Sequence, residues 1–292
     1  MHTSPLAGRT VVVTGAARGL GAAMVREMAA RGARLALLGH EKALLETVAA
    51  ALPGPALAVE VDVTDPDALT AAAHTVRARL GRPSAVVANA GIAEGGPFLA
   101  STAAAWSRVV EVNLIGSAHT ARAFLPDLLD TAGYFLQVAS LAAIGAAPLM
   151  SAYCASKSGA EAFAHSLRAE VAHWGVGVGI AYLNWTDTDM IRDADRYAVL
   201  RELRTAMPGP AGRVYPVDTV AARLVKGLER RRTAVYAPAW LRLTQPLRAA
   251  LPPVVLRVAR RSLPRLEAEE PVEYTGPLGA GGLADSGPRR KS

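Results

Sequence analysis

Two residues in the middle of the chain, Tyr153 and Lys157, have side chains and a spacing suited to proton transfer. They are four positions apart, so a helix would place both on one face. A phenol ordinarily has a pKa of about 10, too high for proton exchange at neutral pH, and a nearby ammonium group lowers that pKa by favouring the phenolate. The same spacing is common on helix surfaces without any chemical role, so the pair needs support from other residues.

A second candidate element is the glycine-rich segment Thr14–Gly21, which joins a predicted strand to a predicted helix. Its glycines permit a tight turn and a close approach of the backbone to a pyrophosphate, and the helix N-terminus presents N–H donors to it. A turn that merely requires glycine is the alternative. The position at the first strand–helix junction favours a dinucleotide-binding loop, although the spacing is Gly-x-x-x-Gly-x-Gly rather than Gly-x-Gly-x-x-Gly.

The elements that would position these residues alternate between strand and helix. Short apolar runs predict strands at 10–13, 34–38, 56–61, 85–88, 133–138, 177–183 and 233–237. Helical patterns occupy 19–30, 42–52, 65–80, 103–129, 151–174 and 217–230, with a break expected before Pro126. This alternation predicts an α/β fold: a Rossmann-type doubly wound parallel sheet with flanking helices, formed by a single domain plus a C-terminal extension.

The motifs, taken together, resemble the classical short-chain dehydrogenase/reductase family, whose glycine motif is Thr-Gly-x-x-x-Gly-x-Gly. Asn89–Gly91 follows the fourth strand as the family's Asn-Ala-Gly does, and Asp62 follows the third strand, where the family places an acid beside adenine. Ser140 precedes Tyr153 by 13 positions, as in the family pattern. Asn113 lies in the predicted helix at 103–129, where the family has its fourth catalytic residue. The resemblance extends from about residue 6 to residue 237.

The resemblance implies an NAD(P)(H)-dependent oxidoreductase that interconverts a carbonyl and an alcohol by hydride transfer. Tyr153 would be the general acid/base, and Lys157 would also bind the nicotinamide ribose. Ser140 would bind the reacting oxygen, and Asn113 would hold a water that connects Lys157 to solvent. The family also implies a homodimer or homotetramer, and a small-molecule substrate.

The resemblance also implies which residues bind the coenzyme. They lie in the glycine loop, at the ends of the strands and on the helix that carries the catalytic pair: Gly15, Ala17, Arg18, Gly19, Leu20, Gly21, Gly39, His40, Asp62, Val63, Asn89, Ala90, Gly91, Tyr153, Lys157, Thr186 and Thr188.

The end of the second strand favours NADP over NAD. NAD sites in this fold usually have an acid there, bonded to the ribose 2′-hydroxyl, whereas this chain has Gly39. Arg18 and His40 are positioned to face a 2′-phosphate. Glu41 is close enough to keep NAD open as the less favoured coenzyme.

The expected catalytic domain at 1–237 contains one distinct segment and is followed by two others. Residues 189–216 form a predicted substrate lid, whose apolar residues favour a hydrophobic alcohol, ketone or lipid-like substrate, although helix packing explains them equally well. Residues 238–272 are predicted to form a basic amphipathic extension, and 273–292 a disordered tail. The segment Leu183–Asn184 stands where the family has Pro-Gly, which leaves the local backbone path open.

Charge and cysteine usage bound the setting. Residues 201–292 carry 17 Lys/Arg and 8 Asp/Glu, so the whole basic excess of a chain with net charge +7 is C-terminal. No nucleic-acid motif accompanies this charge, so a solvated basic face is favoured over a nucleic-acid partner. A single cysteine and the lack of a signal-peptide-like apolar segment over 1–9 favour the cytoplasm. The histidines are not at metal-ligand spacing, so no metal is expected.

Two competing interpretations remain open from the sequence. One is a dinucleotide-binding regulatory or scaffold protein that keeps the fold and has little turnover, which the full set of catalytic side chains argues against. The other adds a weak peripheral membrane contact through the arginines and leucines of Trp240–Arg265, although the prolines there disfavour a long interfacial helix.

Overall fold

The fold is built on one seven-stranded sheet in which all neighbouring strands are parallel. The computed structural model describes residues 4–269 and 271–286. The strands are β1 Thr10–Thr14, β2 Arg34–Gly39, β3 Ala56–Glu60, β4 Pro83–Ala88, β5 Tyr134–Val138, β6 Gly177–Leu183 and β7 Ala234–Ala237. Their order across the sheet is β3-β2-β1-β4-β5-β6-β7. The Rossmann-type sheet predicted from the sequence is therefore confirmed.

The strand order reverses between β1 and β4, so the connections that leave these neighbouring strands diverge. A crevice opens at such a point along the carboxyl edge of a parallel sheet, where open α/β folds bind ligands. Both strands are almost continuous runs of buried small or β-branched residues, as strands covered on both faces require.

Helices cover both faces of the sheet. The helices along the described chain are α1 Gly19–Ala29, α2 Lys42–Ala50, α3 Pro66–Leu80, α4 Ala103–Val110, α5 Gly116–Asp130, α6 Ser151–Val171, α7 Asp189–Ala194, α8 Ala198–Thr205, α9 Val217–Glu229, α10 Leu251–Glu269 and α11 Gly279–Ser286. Helices α1 and α9 pack in one apolar cluster, while α3, α5 and α6 pack in the other, on the opposite face. Each face of the sheet thus has its own core.

The helix predicted at 103–129 is interrupted at a different place from the expected one. Pro126 lies inside α5, and the irregularity is instead a π-helical turn, Glu111–Ile115, between α4 and α5. Asn113 is in the middle of this turn and is fully buried. Such turns often occur at functional sites, and here the turn carries one of the candidate catalytic residues.

The chain beyond β7 is more ordered than the sequence suggested. Pro252 and Pro253 fall in the first turn of α10, where proline is tolerated, although Pro264 lies within the helix. No helix among the described residues is long and apolar enough to cross a membrane.

The expected disordered tail is wrong for residues 273–286, which pack against the rest of the protein and end in α11. The physical reason is Leu278, whose side chain is 1% exposed in a small apolar cluster with Ala93, Ala194 and Leu200. A glycine-rich composition concealed this anchor. The remainder of the predicted tail, 287–292, lies outside the described residues.

Candidate active site

The glycine loop touches the loop that follows β4. Gly15 has a φ of +64°, and a Cβ there would lie 2.8 Å from the Cα of Ala90. A Cβ on Gly21 would lie 2.1 Å from the carbonyl oxygen of Gly15. Only glycine fits these two contacts, so the loop forms a tight backbone cradle at the N-terminus of α1. This cradle fits a pyrophosphate group.

Side-chain hydrogen bonds from Thr14 and Asn89 hold the two loops together. The Thr14 hydroxyl accepts from the backbone N–H groups of Asn89 and Ala90, at 3.0 and 3.1 Å. The Asn89 amide donates to the carbonyls of Thr14 and Gly15 at 3.0 and 3.2 Å. Thr14 was absent from the predicted coenzyme-binding residues, although the Thr-Gly pair at the end of β1 was a sequence signal for it.

Tyr153 lies in the first turn of α6, with its hydroxyl close enough to the side chain of Ser140 for the two groups to interact. Ser140 precedes a short 3-10 turn after β5, and its Oγ accepts from the backbone N–H of Ala142 at 3.2 Å. Lys157 is one turn further along α6, with its Nζ 5.7 Å from the centre of the Tyr153 ring. The structure therefore brings the two hydroxyls and the amine together.

Burial dominates the acid–base properties of this group. It raises the pKa of Tyr153 to about 12, while the hydrogen bond with Ser140 acts in the opposite direction. It also lowers the pKa of Lys157 to about 8. The sequence predicts that lysine lowers the pKa of Tyr153. In the structure, burial raises that pKa by more than the protein's own polar groups lower it. At neutral pH Tyr153 is consequently a protonated donor and Lys157 is mostly charged.

Asn113 and Lys157 converge behind Tyr153. Asn113 pairs with the backbone of Ile92: its Oδ1 accepts from the N–H at 2.8 Å and its Nδ2 donates to the carbonyl at 2.9 Å. Lys157 donates to the carbonyl of Val138 at 3.2 Å. A Cβ on Gly91 would lie 3.0 Å from Asn113 Oδ1 and 3.3 Å from Lys157 Nζ, so both groups press on the same backbone.

Asp62 lies at the far end of the crevice, after β3. Its carboxylate accepts from the Thr64 N–H and hydroxyl at 2.9 and 2.8 Å and from Arg108 at 2.9 Å. Burial alone would raise the pKa of Asp62, but these hydrogen bonds outweigh it and the pKa is lowered. Arg108 on α4 was not a sequence candidate, because nothing in its local pattern indicates a partner 46 positions away.

The end of β2 differs from the expected phosphate-binding arrangement. Gly39 is buried and His40 is exposed beside the crevice. Arg18, however, forms a two-pronged ion pair with Glu41, with Nε donating to Oε2 at 2.8 Å, and Asp189 lies 3.8 Å away. The guanidinium thus already has carboxylate partners.

The loop after β6 lies against the glycine loop. A Cβ on Gly19 would lie 3.4 Å from the Thr188 side chain, and Thr186 is buried nearby. Asn184, where the family has glycine, is 8% exposed and donates from Nδ2 to the Ala211 carbonyl at 3.0 Å. Asn184 therefore bonds to the segment predicted as a lid through a side chain that glycine lacks.

All of the predicted catalytic and coenzyme-binding residues except Asn113 line a single crevice, and Asn113 lies directly behind it. The crevice runs from Asp62 past the glycine loop to Ser140 and Tyr153, which suits an extended dinucleotide. The lining residues that the sequence missed include a group from the C-terminal segment: Leu278, Gly279, Gly281, Gly282 and Asp285.

Comparisons with known proteins agree with this geometry. Residues 9–197 match the sequence profile of the family described as short chain dehydrogenase. The probable oxidoreductase EphD of Mycobacterium tuberculosis is 32% identical over 239 residues, covering 77% of this chain. The chain spans only 40% of the length of that relative. The 11-beta-hydroxysteroid dehydrogenase 1A of Arabidopsis thaliana is 30% identical over 256 residues, which cover 82% of this chain and 71% of that protein.

Solved structures extend the similarity to coenzyme complexes. A short chain dehydrogenase/reductase from Burkholderia phymatum in complex with NAD has a TM-score of 0.73 and 25% identity, with 84% of this chain and 94% of the other covered. A metagenomic short-chain oxidoreductase in complex with NADP has a TM-score of 0.58 and 34% identity, with 61% and 83% covered.

The buried amine of Lys157 gives a pH-dependent stability. Its pKa of about 8 in the folded protein lies below the ordinary 10.5, so between these values the unfolded chain binds more protons. The free energy of unfolding of the wild type, relative to Lys157→Met, should therefore rise as the pH increases through this window. Urea denaturation at several pH values measures it, with exposed Lys42→Met as the control. Parallel pH profiles for wild type and Lys157→Met would contradict the burial argument.

Proposed function

Because the chain belongs to the short-chain dehydrogenase/reductase family, we propose that it interconverts a carbonyl and an alcohol with Tyr153 as general acid/base. The family consists of NAD(P)-dependent oxidoreductases, and this chain is such an enzyme. The observation that carries the proposal is that Ser140, Tyr153 and Lys157 line the same crevice as the glycine loop, with the Ser140 side chain acting on the Tyr153 hydroxyl. The identity of the substrate is proposed below from the residues that line the crevice.

The proposed roles follow the geometry. Tyr153 donates a proton to the carbonyl oxygen in reduction and removes it from the alcohol in oxidation. Ser140 holds the reacting oxygen near Tyr153. Its Oγ already accepts a hydrogen bond from the backbone, so its hydroxyl proton is directed to the reacting oxygen. Lys157 supplies positive charge from behind the ring and binds the nicotinamide ribose. Asn113 shapes the backbone beside Lys157 and holds the water through which the amine reaches solvent.

A nicotinamide dinucleotide supplies or accepts the hydride when it is bound. The glycine loop, with Ala17 and Leu20 beside its glycines, would hold the pyrophosphate at the N-terminus of α1. Asp62 and Val63 would bind the adenine end, and Thr186 and Thr188 the nicotinamide carboxamide. The fit rests on the cradle at Gly15 and Gly21, where a Cβ would collide with backbone.

NADP(H) is the proposed coenzyme, on the absence of an acid at Gly39 and the position of His40 and Arg18 on the crevice. The pairing of Arg18 with Glu41 favours NAD(H) as the second candidate, because it partly neutralises the guanidinium and places a carboxylate beside the ribose site. The two coenzymes therefore compete on the balance of these charges.

The proposed substrate is a hydrophobic alcohol or ketone. The crevice wall near Tyr153 is formed by Ile92, Met190, Ile191 and Leu278. Apolar walls with a few polar groups are typical of small-molecule sites. A scaffold protein without turnover is not favoured, because the catalytic side chains are assembled and the relatives are named as oxidoreductases and dehydrogenases.

The proposed setting is a cytoplasmic homodimer or homotetramer, which is what the resemblance to the family implies. Weak contact with anionic membranes is proposed for α10. Its outer face carries exposed Arg257, Arg260 and Arg261, with Val254 and Leu256 exposed at 50% and 52%. Basic and apolar groups together favour anionic lipid.

Tyr153→Phe should lower turnover by about 100-fold to 10,000-fold, the range for a lost general acid. The test is a coenzyme-coupled screen of ketones and alcohols, followed by kcat on the best substrate. Tyr236→Phe, on β7 and outside the crevice, is the matched control and should keep its activity. Equal turnover by wild type and Tyr153→Phe would refute the mechanism, and turnover only on small charged sugars would refute the hydrophobic substrate.

Glu41→Gln should raise the ratio of kcat/KM for NADPH over NADH by about tenfold, because it frees Arg18 for the phosphate and removes a repelling carboxylate. Glu46→Gln, exposed on α2, is the control. The wild type should already prefer NADPH. A wild-type preference for NADH would overturn the NADP assignment.

The full-length protein should sediment with anionic vesicles more than with neutral ones, and less as salt is raised. Arg257→Gln combined with Arg261→Gln should reduce the bound fraction by about half or more. An equal bound fraction on both vesicle types would contradict the proposed membrane contact.

A further inference from the structure

The C-terminal segment 271–286, here named the strap, crosses the crevice and is attached to both of its walls. On one wall it pairs with the loop after β4: the Thr275 N–H donates to the Gly95 carbonyl at 2.9 Å, and the Leu278 N–H to the Ala93 carbonyl at 2.8 Å. Tyr274 adds a hydrogen bond to the buried carboxylate of Glu94, at 2.6 Å. The strap thus forms a short antiparallel edge on this loop.

The opposite wall is the lid segment, and the strap bonds to it as well. The Gly279 N–H, at the start of α11, donates to Asp193 Oδ2 on α7 at 2.9 Å. The hydroxyl of Tyr197 donates to the Thr275 carbonyl at 3.0 Å. The strap therefore links the loop after β4 to the lid segment, and its residues line the crevice together with residues of both.

A third attachment lies at the adenine end. Asp285, in the last turn of α11, accepts two hydrogen bonds from Arg108, at 2.8 and 2.6 Å. The same guanidinium donates to Asp62 at 2.9 Å. The side chains of Arg108 and Asp285 are 14% and 10% exposed, so this pair is largely shielded from water and screened less than a surface pair.

The side of the strap that faces the crevice consists mostly of backbone. Gly279, Gly281 and Gly282 line it, and a Cβ on Gly281 would lie 3.6 Å from the Arg18 side chain in the glycine loop. Glycines allow a ligand to approach the backbone closely. Residues Leu283 and Ala284, which face away, are exposed.

We propose that the strap is a coenzyme clamp that covers the adenosine and pyrophosphate portion of the bound dinucleotide, and that Asp285 is the positioning residue that locks it through Arg108. This inference rests on the proposed function, since it concerns the same crevice. The lock joins the strap to Asp62, so closure and the adenine site share one guanidinium. Coenzyme release then requires the strap to leave Arg108.

The opposite possibility is a strap that occupies the coenzyme's place and must be displaced. The two possibilities predict opposite effects on coenzyme affinity. A clamp makes binding tighter and is ordered by the coenzyme, whereas a plug makes binding weaker and is loosened by it.

Equilibrium binding of NADPH and NADH to the full chain, followed by coenzyme fluorescence, tests the lock. Asp285→Ala should raise the Kd for both coenzymes about tenfold, mainly through faster release, because a shielded charge-assisted pair is lost. KM for coenzyme should rise with it, while kcat at saturation stays within about twofold. The control is Glu269→Ala, which removes an exposed ion pair with Arg265 on α10.

A second pair of variants tests the glycine face without touching the lock. Gly281→Leu places a side chain in the crevice and should weaken coenzyme binding by about tenfold or more, whereas Ala284→Leu places the same side chain on the outer face and should not. Hydrogen–deuterium exchange supplies an independent measurement: amides of 271–286 should exchange more slowly when coenzyme saturates the wild type.

An unchanged or lower Kd for Asp285→Ala, or faster exchange of the strap on coenzyme binding, would overturn the clamp. If the wild type binds coenzyme and turns over substrate while these results appear, only the clamp fails. If the wild type binds neither coenzyme, the proposed function fails and the clamp with it.

Discussion

The amine of Lys157 is held almost out of contact with water, and the architecture of the site follows from that constraint. A buried ammonium needs compensating polar groups, because desolvation disfavours its charged form. Here it reaches the Val138 carbonyl at the end of β5 and lies against the backbone of Gly91 at the end of β4. The π-helical turn brings Asn113 to the same place, where its amide pairs with the neighbouring backbone.

This arrangement links catalysis to the crevice of the sheet. The loop after β4 that faces Lys157 also touches the glycine loop through Ala90, and its continuation pairs with the strap. One backbone segment therefore contacts the proton-transfer group, the dinucleotide cradle and the C-terminal cover. These three contacts all lie beside the reversal of strand order between β1 and β4, where ligands bind in open α/β folds.

The parts of the fold that the sequence predicted were those with local signals. The periodicity of apolar residues predicted the order of strands and helices. The glycine loop and the Tyr153–Lys157 spacing predicted the location of the crevice and many of the residues that line it. The π-helical turn and the strap were missed because each depends on tertiary contacts: Asn113 with Ile92, and Leu278 with a distant apolar cluster.

Charge partners were the other feature beyond the reach of sequence patterns. Arg18 was expected to await a phosphate, but in the fold the end of β2 places Glu41 against it. Arg108 gave no signal at all, because its partners Asp62 and Asp285 come from opposite ends of the chain. The partners of these long side chains are set by which elements pack together in the fold, so their roles could not be predicted from sequence spacing.

The most direct test of the central claim is to follow the transferred hydrogen itself. Reduced coenzyme carrying deuterium at both positions of the nicotinamide C4 is incubated with a hydrophobic ketone that the enzyme accepts, and the alcohol is analysed by mass spectrometry. The account predicts one deuterium in the alcohol formed by the wild type and a transfer rate lower by about two to four orders of magnitude for Tyr153→Phe. An alcohol without deuterium, or equal transfer by the two proteins, would contradict it.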